Sequence, residues 1–128
     1  YDMLRSLVGS EMCIRDRIDY VSDAATMGKG VGDDFRDGKV TLPVILAYAH
    51  GSPEERKFWE AAIIGHRTSD EDLAHATQLL RQHNAIDLTL DRARHFGQRA
   101  IDAIAGFPSS KAKAALIETV EFAIARGY

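Results

Sequence analysis

The stretch Thr41–Ile64, TLPVILAYAHGSPEERKFWEAAII, decides the fold class. Thr41 can cap a helix with Pro43 in its first turn, and the apolar run beyond it stops at Gly51. Ser52-Pro53-Glu54-Glu55 then has the form of a capping box with proline at the first helical position. The helix it opens carries Phe58, Trp59, Ala62 and Ile63 before Gly65. Thr68 with Glu71 opens the next, whose Leu73, Ala76, Leu79 and Leu80 form one stripe. Leu90, Ala93, Gly97, Ala100, Ile101 and Ile104 keep the helical period until Gly106-Phe107-Pro108 ends it. A last helix starts at Ser109 or Ser110 and uses Leu116, Val120 and Ala123. No segment alternates with period two over a useful length. The expected fold is all-α, with no internal repeat.

Composition narrows the function classes. A chain of 128 residues is long enough for one domain and too short for two. With 45% hydrophobic and 27% charged residues it reads as a globular protein, not a disordered one. The net charge of −3 supplies no concentrated basic face, so no nucleic acid is expected as a partner. The longest apolar run, Val40–Ala49, is about half the length of a membrane span and holds a proline, so no membrane span is expected. The single cysteine, Cys13, permits no internal disulfide, which points to a reducing compartment, the cytoplasm.

Residues 1–17, YDMLRSLVGSEMCIRDR, fit poorly with the rest of the chain. They lack the apolar core of a secretory signal. The string Ser6–Arg17 resembles a stretch that recurs at the broken ends of sequences taken from assemblies. Residues 1–17 are therefore expected to be foreign and native sequence to start near Ile18, in a chain that is a piece of something longer. The other reading is an irregular helix, with Leu4, Leu7, Val8, Met12 and Ile14 on one face.

Between Tyr20 and Thr41 the sequence changes character. Within Asp23–Lys39 sit four glycines (Gly28, Gly30, Gly32, Gly38), four aspartates (Asp23, Asp33, Asp34, Asp37) and three cations (Lys29, Arg36, Lys39). Glycines allow turns that bring main-chain N–H groups close to a ligand. Carboxylates beside lysines suit a site holding a divalent metal and a phosphate together, with oxygen ligands for Mg²⁺ and ammonium groups for phosphate oxygens. On composition alone a solvated helix–loop–helix with surface ion pairs accounts for the same residues.

Familiar ligand motifs do not match. Gly28-Lys29 is followed by Gly30 and no preceding strand is predicted, so this is no P-loop. Gly28, Gly30 and Gly32 also miss the dinucleotide spacing. His50, His66, His75, His83 and His95 form no close pair suited to zinc and read as surface or helix-end residues. Cys13 has no partner base in sight and is not read as a nucleophile. Arg92, Arg94 and Arg99 read as a solvated helix face.

Asp19-Tyr20, Gly28-Lys29 and the run Gly32–Pro43, GDDFRDGKVTLP, together resemble the C-terminal part of trans-polyprenyl diphosphate synthases. The pattern G-K-x-x-G-D-D-F-x-D-G-K-x-T-L-P is specific, and the resemblance runs from Ile18 to Tyr128. Asp33-Asp34 and the Leu42-Pro43 ending look more like long-chain bacterial members, which make quinone side chains, than like farnesyl diphosphate synthases. The resemblance implies an all-α bundle in which two D-D-x-x-D motifs face each other across a cavity. Mg²⁺ ions there would bridge carboxylates to an allylic diphosphate, whose cation is attacked by isopentenyl diphosphate. It also implies a homodimer.

Residue by residue, Asp19 matches the last aspartate of the second motif and Asp16 its middle one, while Arg15 stands at its first position. Arginine there puts a cation where a metal ligand belongs. Lys29 and Lys39 match lysines that contact the allylic diphosphate, and Asp33 or Asp34 an acidic position near a metal. The first aspartate-rich motif and the isopentenyl diphosphate contacts have no match in the chain, so the chain alone is expected to be inactive. An alternative is a non-catalytic partner subunit of a heteromeric prenyl synthase, a reading favoured by Arg15 alone.

Overall fold

The computed structural model describes residues 1–21 and 32–126. Among them are seven helices: α1 (Asp2–Val21), α2 (Asp33–Arg36), α3 (Leu42–His50), α4 (Pro53–Ile63), α5 (Asp70–Gln82), α6 (Ala85–Ala103) and α7 (Lys111–Ala125). No strand occurs among the described residues, and the all-α expectation holds. Among the described residues no helix is long and apolar enough to cross a membrane. The chain divides into two compact units, Asp16–Thr89 and Tyr1–Arg15 with Leu90–Tyr128.

The unit Asp16–Thr89 contains the glycine- and aspartate-rich run. Its core is built on Phe35, Trp59 and Leu80, each at most 2% exposed, with Val44, Ala47, Ala62, Ala76 and Leu79 around them. Phe35 and Phe58 both meet Trp59 edge-on, at centroid distances of 6.3 and 5.4 Å. Edge-to-face pairs of this kind add to the burial energy of the rings. Helices α3, α4 and α5 pack on one another.

Each start signal works by satisfying N–H groups that have no partner inside the helix. At α4 the expected box is present: Ser52 Oγ accepts from the Glu55 amide at 3.2 Å, and Glu55 Oε2 accepts from the Ser52 amide at 2.7 Å. At α5 the box lies one residue later than Thr68/Glu71. Ser69 Oγ accepts from the Asp72 amide at 3.1 Å, and the Asp72 carboxylate answers. Both spellings satisfy the pattern; the later one also places the carboxylate 3.4 Å from the Arg67 guanidinium. Thr41 does sit at the N-cap of α3, but its hydroxyl makes no capping bond. Asn84, with φ of 52°, turns the chain between α5 and α6, a left-handed conformation that asparagine tolerates.

In the other unit, Ala100, Ile104 and Val120 form a small core with Met3, and Ile101, Ile117 and Ile124 pack on it. Val120 and Ala123 of α7 are buried as expected, but Leu116 is 43% exposed and Ile117 takes the inward place. Ser110 caps α7 by accepting from the Lys113 amide. Helix α1 includes the stretch expected to be foreign, and its apolar residues form two stripes where the sequence suggests one. Met3, Ser6, Ser10, Cys13 and Ile14 are buried at helical spacing, Leu7 is half-buried, and Leu4, Val8 and Met12 lie 58–63% exposed on the next stripe. Glu11 pairs with Arg126 of α7.

Candidate functional site

The site is assembled where the end of α1 meets the GDDFRDGK run. Asp16 and Asp19 are three residues apart on a helix and so share a face. The Asp19 main-chain carbonyl accepts the Gly32 amide at 2.9 Å, and its carboxylate Oδ2 accepts the Asp34 amide at 3.1 Å. This double bond pins the start of α2 to the end of α1. Gly32 has φ of 82°, and a Cβ on it would lie 2.4 Å from Leu73 Cδ1. Both facts demand glycine there.

Phe35, fully buried against Trp59, anchors the run from below and leaves the carboxylates of its neighbours outside the core. Gly38, at φ of 68°, then reverses the chain, its amide donating to the Phe35 carbonyl at 3.0 Å while the Lys39 amide reaches the Asp34 carbonyl at 2.9 Å. The reversal folds the Lys39 side chain back over α2. Its Nζ lies 2.7 Å from Asp34 Oδ1 and 3.2 Å from Asp37 Oδ2. Arg36 turns the other way, 2.9 Å from Asp70 and 4.0 Å from Asp33. Three residues beyond Lys39, the α3 N-terminus meets Asp16, whose Oδ2 accepts the Leu42 amide at 3.0 Å.

The electrostatics follow from this crowding. Burial raises the Asp19 carboxyl above its usual range; the Asp34 amide opposes that rise, and the Asp34 and Asp33 carboxylates add to it. Lys39 is pushed up to about 12 by its bonds to Asp34 and then Asp37, so its ammonium stays charged at neutral pH. Burial also raises the Tyr20 phenol, beside Asp19.

Of the residues singled out in the sequence, Asp19, Asp34 and Lys39 come together, with Asp33 beside them on α2. Asp16 stands one helical turn back on α1 and engages α3. Lys29 lies outside the described residues. Sequence reasoning misses Asp37 and Asp70 as counter-charges of Lys39 and Arg36. Asp37 carries a signal, its place two residues before Lys39 across a glycine; Asp70, 34 residues from Arg36, carries none. Cys13 is buried, as an inert thiol should be. His50 bonds the Leu46 carbonyl at the end of α3, and His83 is half-buried against Glu55 at 2.9 Å.

Hard divalent cations take carboxylate oxygens, and in kind the donors on α1 and α2 fit such an ion. Burial is the main cause of the raised Asp19 carboxyl, and the smaller part owed to the Asp34 and Asp33 carboxylates is what a cation would relieve. Among the described residues, however, no three His, Cys, Asp or Glu side chains converge to hold a metal. The residues present fit one side of a metal site and do not complete it.

A family model described as Polyprenyl synthetase matches residues 13–80. The chain is 36% identical over 118 residues to an octaprenyl diphosphate synthase of Haemophilus influenzae, covering 90% of this chain and 35% of that protein. It is 34% identical over 113 residues to an all-trans-nonaprenyl-diphosphate synthase (geranyl-diphosphate specific) of Rhodobacter capsulatus, covering 88% and 34%. Its fold is similar to a crystal structure of a polyprenyl synthase from Caulobacter crescentus complexed with calcium and isoprenyl diphosphate. There the TM-score is 0.88 and the identity 38%, over 99% of this chain and 39% of that one. The chain thus spans about a third of the length of the curated relatives it matches.

Proposed function

Since the chain belongs to the polyprenyl synthetase family, we propose that it is the C-terminal part of a long-chain trans-prenyltransferase. The whole enzyme condenses isopentenyl diphosphate with an allylic diphosphate to make an all-trans polyprenyl diphosphate for a quinone side chain. It works as a magnesium-dependent homodimer in the cytoplasm. The observation that carries this reading is the fixed ammonium of Lys39 beside the Asp19–Asp34 corner, a cation and an anion pair set on one short turn.

In this reading Asp19, Asp33 and Asp34 would contribute carboxylates to a magnesium site that the rest of the enzyme completes, Asp16 stands next to them, and Lys29 and Lys39 would bind diphosphate oxygens. Magnesium, when bound, neutralises the negative charge that develops on the departing diphosphate. Lys39 serves as a point charge on the phosphate, a task suited to a compact ammonium. Asp34 and Asp37 keep that ammonium in place before a phosphate arrives. Oriented charge of this kind lowers a barrier because it needs no reorganisation at the moment of reaction.

Steady-state kinetics on a full-length enzyme carrying this segment test the reading. Lys39→Ala should lower kcat/KM for the allylic diphosphate by about 10- to 100-fold, the effect of losing one charge-assisted contact in the transition state. Asp19→Ala should instead raise the magnesium concentration needed for half-maximal rate. The 128-residue chain by itself should form no elongated product. Wild-type behaviour from both variants would make the turn a solvated surface and end the proposal.

A further inference from the structure

We infer that Asp16 is a positioning residue: it accepts the first amide of α3, that of Leu42, and thereby holds Lys39 at the candidate site. Its alignment with an aspartate of a metal motif gives it a ligand's role. The geometry points elsewhere. Helix α3 begins with two N–H groups that no turn of its own can satisfy, those of Leu42 and Val44, because Pro43 has none and the Ile45 amide already donates to the Thr41 carbonyl. A threonine at the N-cap ordinarily supplies the acceptor from its own side chain. Thr41 does not, although it has the extended backbone of an N-cap, φ −96° and ψ 163°. The Leu42 amide, which lies too early for an N-cap side chain, takes its acceptor from 26 residues upstream, Asp16 Oδ2 at 3.0 Å.

The bond fixes the chain three residues after Lys39. On the other side of Lys39, Asp19 Oδ2 fixes the Asp34 amide. Two carboxylates from one face of α1 therefore hold the turn at both ends, and the ammonium of Lys39 is carried between them. An acceptor oxygen is all that this task requires of residue 16; a second charge is not. The bond depends on the oxygen and not on the origin of residues 1–17. That Lys39 is held for a diphosphate rests on the function proposed above; the cap itself does not.

The test compares the wild-type chain with Asp16→Ala and Asp16→Asn, reading amide hydrogen exchange at Leu42. Inorganic pyrophosphate with magnesium is then titrated into each and followed by calorimetry. Loss of a cap should speed Leu42 exchange by about 3- to 30-fold in Asp16→Ala. Asparagine keeps an acceptor oxygen at the same reach, so Asp16→Asn should stay within about threefold of wild type. Pyrophosphate affinity should fall with Asp16→Ala and be rescued by Asp16→Asn. If Asp16→Ala does not fold, a folded Asp16→Asn with protected Leu42 supports the cap. The inference is overturned if Asp16→Asn loses Leu42 protection, or if a folded Asp16→Ala retains it. It is overturned as well if both variants lose pyrophosphate equally, as a metal ligand would. A wild-type chain that binds no pyrophosphate refutes the diphosphate role of Lys39, while Leu42 exchange still decides the cap.

Discussion

Replacing Trp59 should separate the worth of its ring from the burden of its N–H. Trp59 is 2% exposed, lies edge-on to both Phe35 and Phe58, and its Nε1 meets no acceptor among the described residues. Truncation of a buried aromatic to alanine costs about 3–5 kcal/mol in transfer and cavity terms. A buried donor without a partner burdens the wild type by about 1–3 kcal/mol, and both variants are spared it. Trp59→Ala should then cost about 2 kcal/mol, and at most about 4 kcal/mol. Trp59→Phe keeps a ring against Phe35 and Phe58, leaves a smaller cavity than alanine and also loses the N–H, so it should cost clearly less than Trp59→Ala. Urea unfolding of the chain followed by far-UV circular dichroism gives both values from the shift in midpoint. If Trp59→Phe proved as costly as Trp59→Ala, the indole N–H would be an asset and the packing account wrong.

Two further outcomes are expected. Gly32→Ala should cost more than about 1 kcal/mol, because φ of 82° and Leu73 at 2.4 Å both oppose a Cβ; Gly106→Ala, with nothing within 4 Å, should change stability by under about 0.5 kcal/mol in the same unfolding assay. The Ser52 amide and His83 hold the Glu55 carboxyl below the usual carboxylate range, and Ser69 does the same for Asp72. Groups depressed on folding stabilise fully above their unfolded values, about pH 4, and lose that contribution as pH falls through the folded values. The stability gap between wild type and a Glu55→Gln, Asp72→Asn double variant should therefore narrow from about pH 7 to about pH 3; a widening gap would contradict the assignment.

The sequence is most legible where a signal is written within one helical turn, although Thr41 sits at its N-cap without making a capping bond. The α4 box is wholly local, Ser52 to Glu55, and forms at those two residues. The α5 box is equally local but spelled twice, at Thr68/Glu71 and Ser69/Asp72, and only the three-dimensional placement of Arg67 shows which spelling is used. Leu116 carries the right period and stays exposed, because Ile117 takes the inward place. At the site, the residue types of the Gly32–Lys39 run announce carboxylates and an ammonium. The partner of Asp16 is not legible, since its bond to Leu42 closes a 26-residue loop that no spacing rule encodes.

One junction away from the site shapes the electric field around it. The first turn of α4 and the last turn of α5 meet at one carboxylate, Glu55, which receives His83 Nε2 and Gln82 Nε2, each at 2.9 Å. A helix has a positive N-terminal end and a negative C-terminal end. With the start of one beside the end of the other, the opposite partial charges of those two ends offset each other locally. At the nearby turn the side chains set the charge, with Asp19, Asp33, Asp34 and Asp37 standing against Arg36 and Lys39. Charged surfaces of one sign concentrate counter-ions before any contact is made. Four carboxylates against two cations leave the turn where Lys39 is held net negative, a place to which cations from solution are drawn.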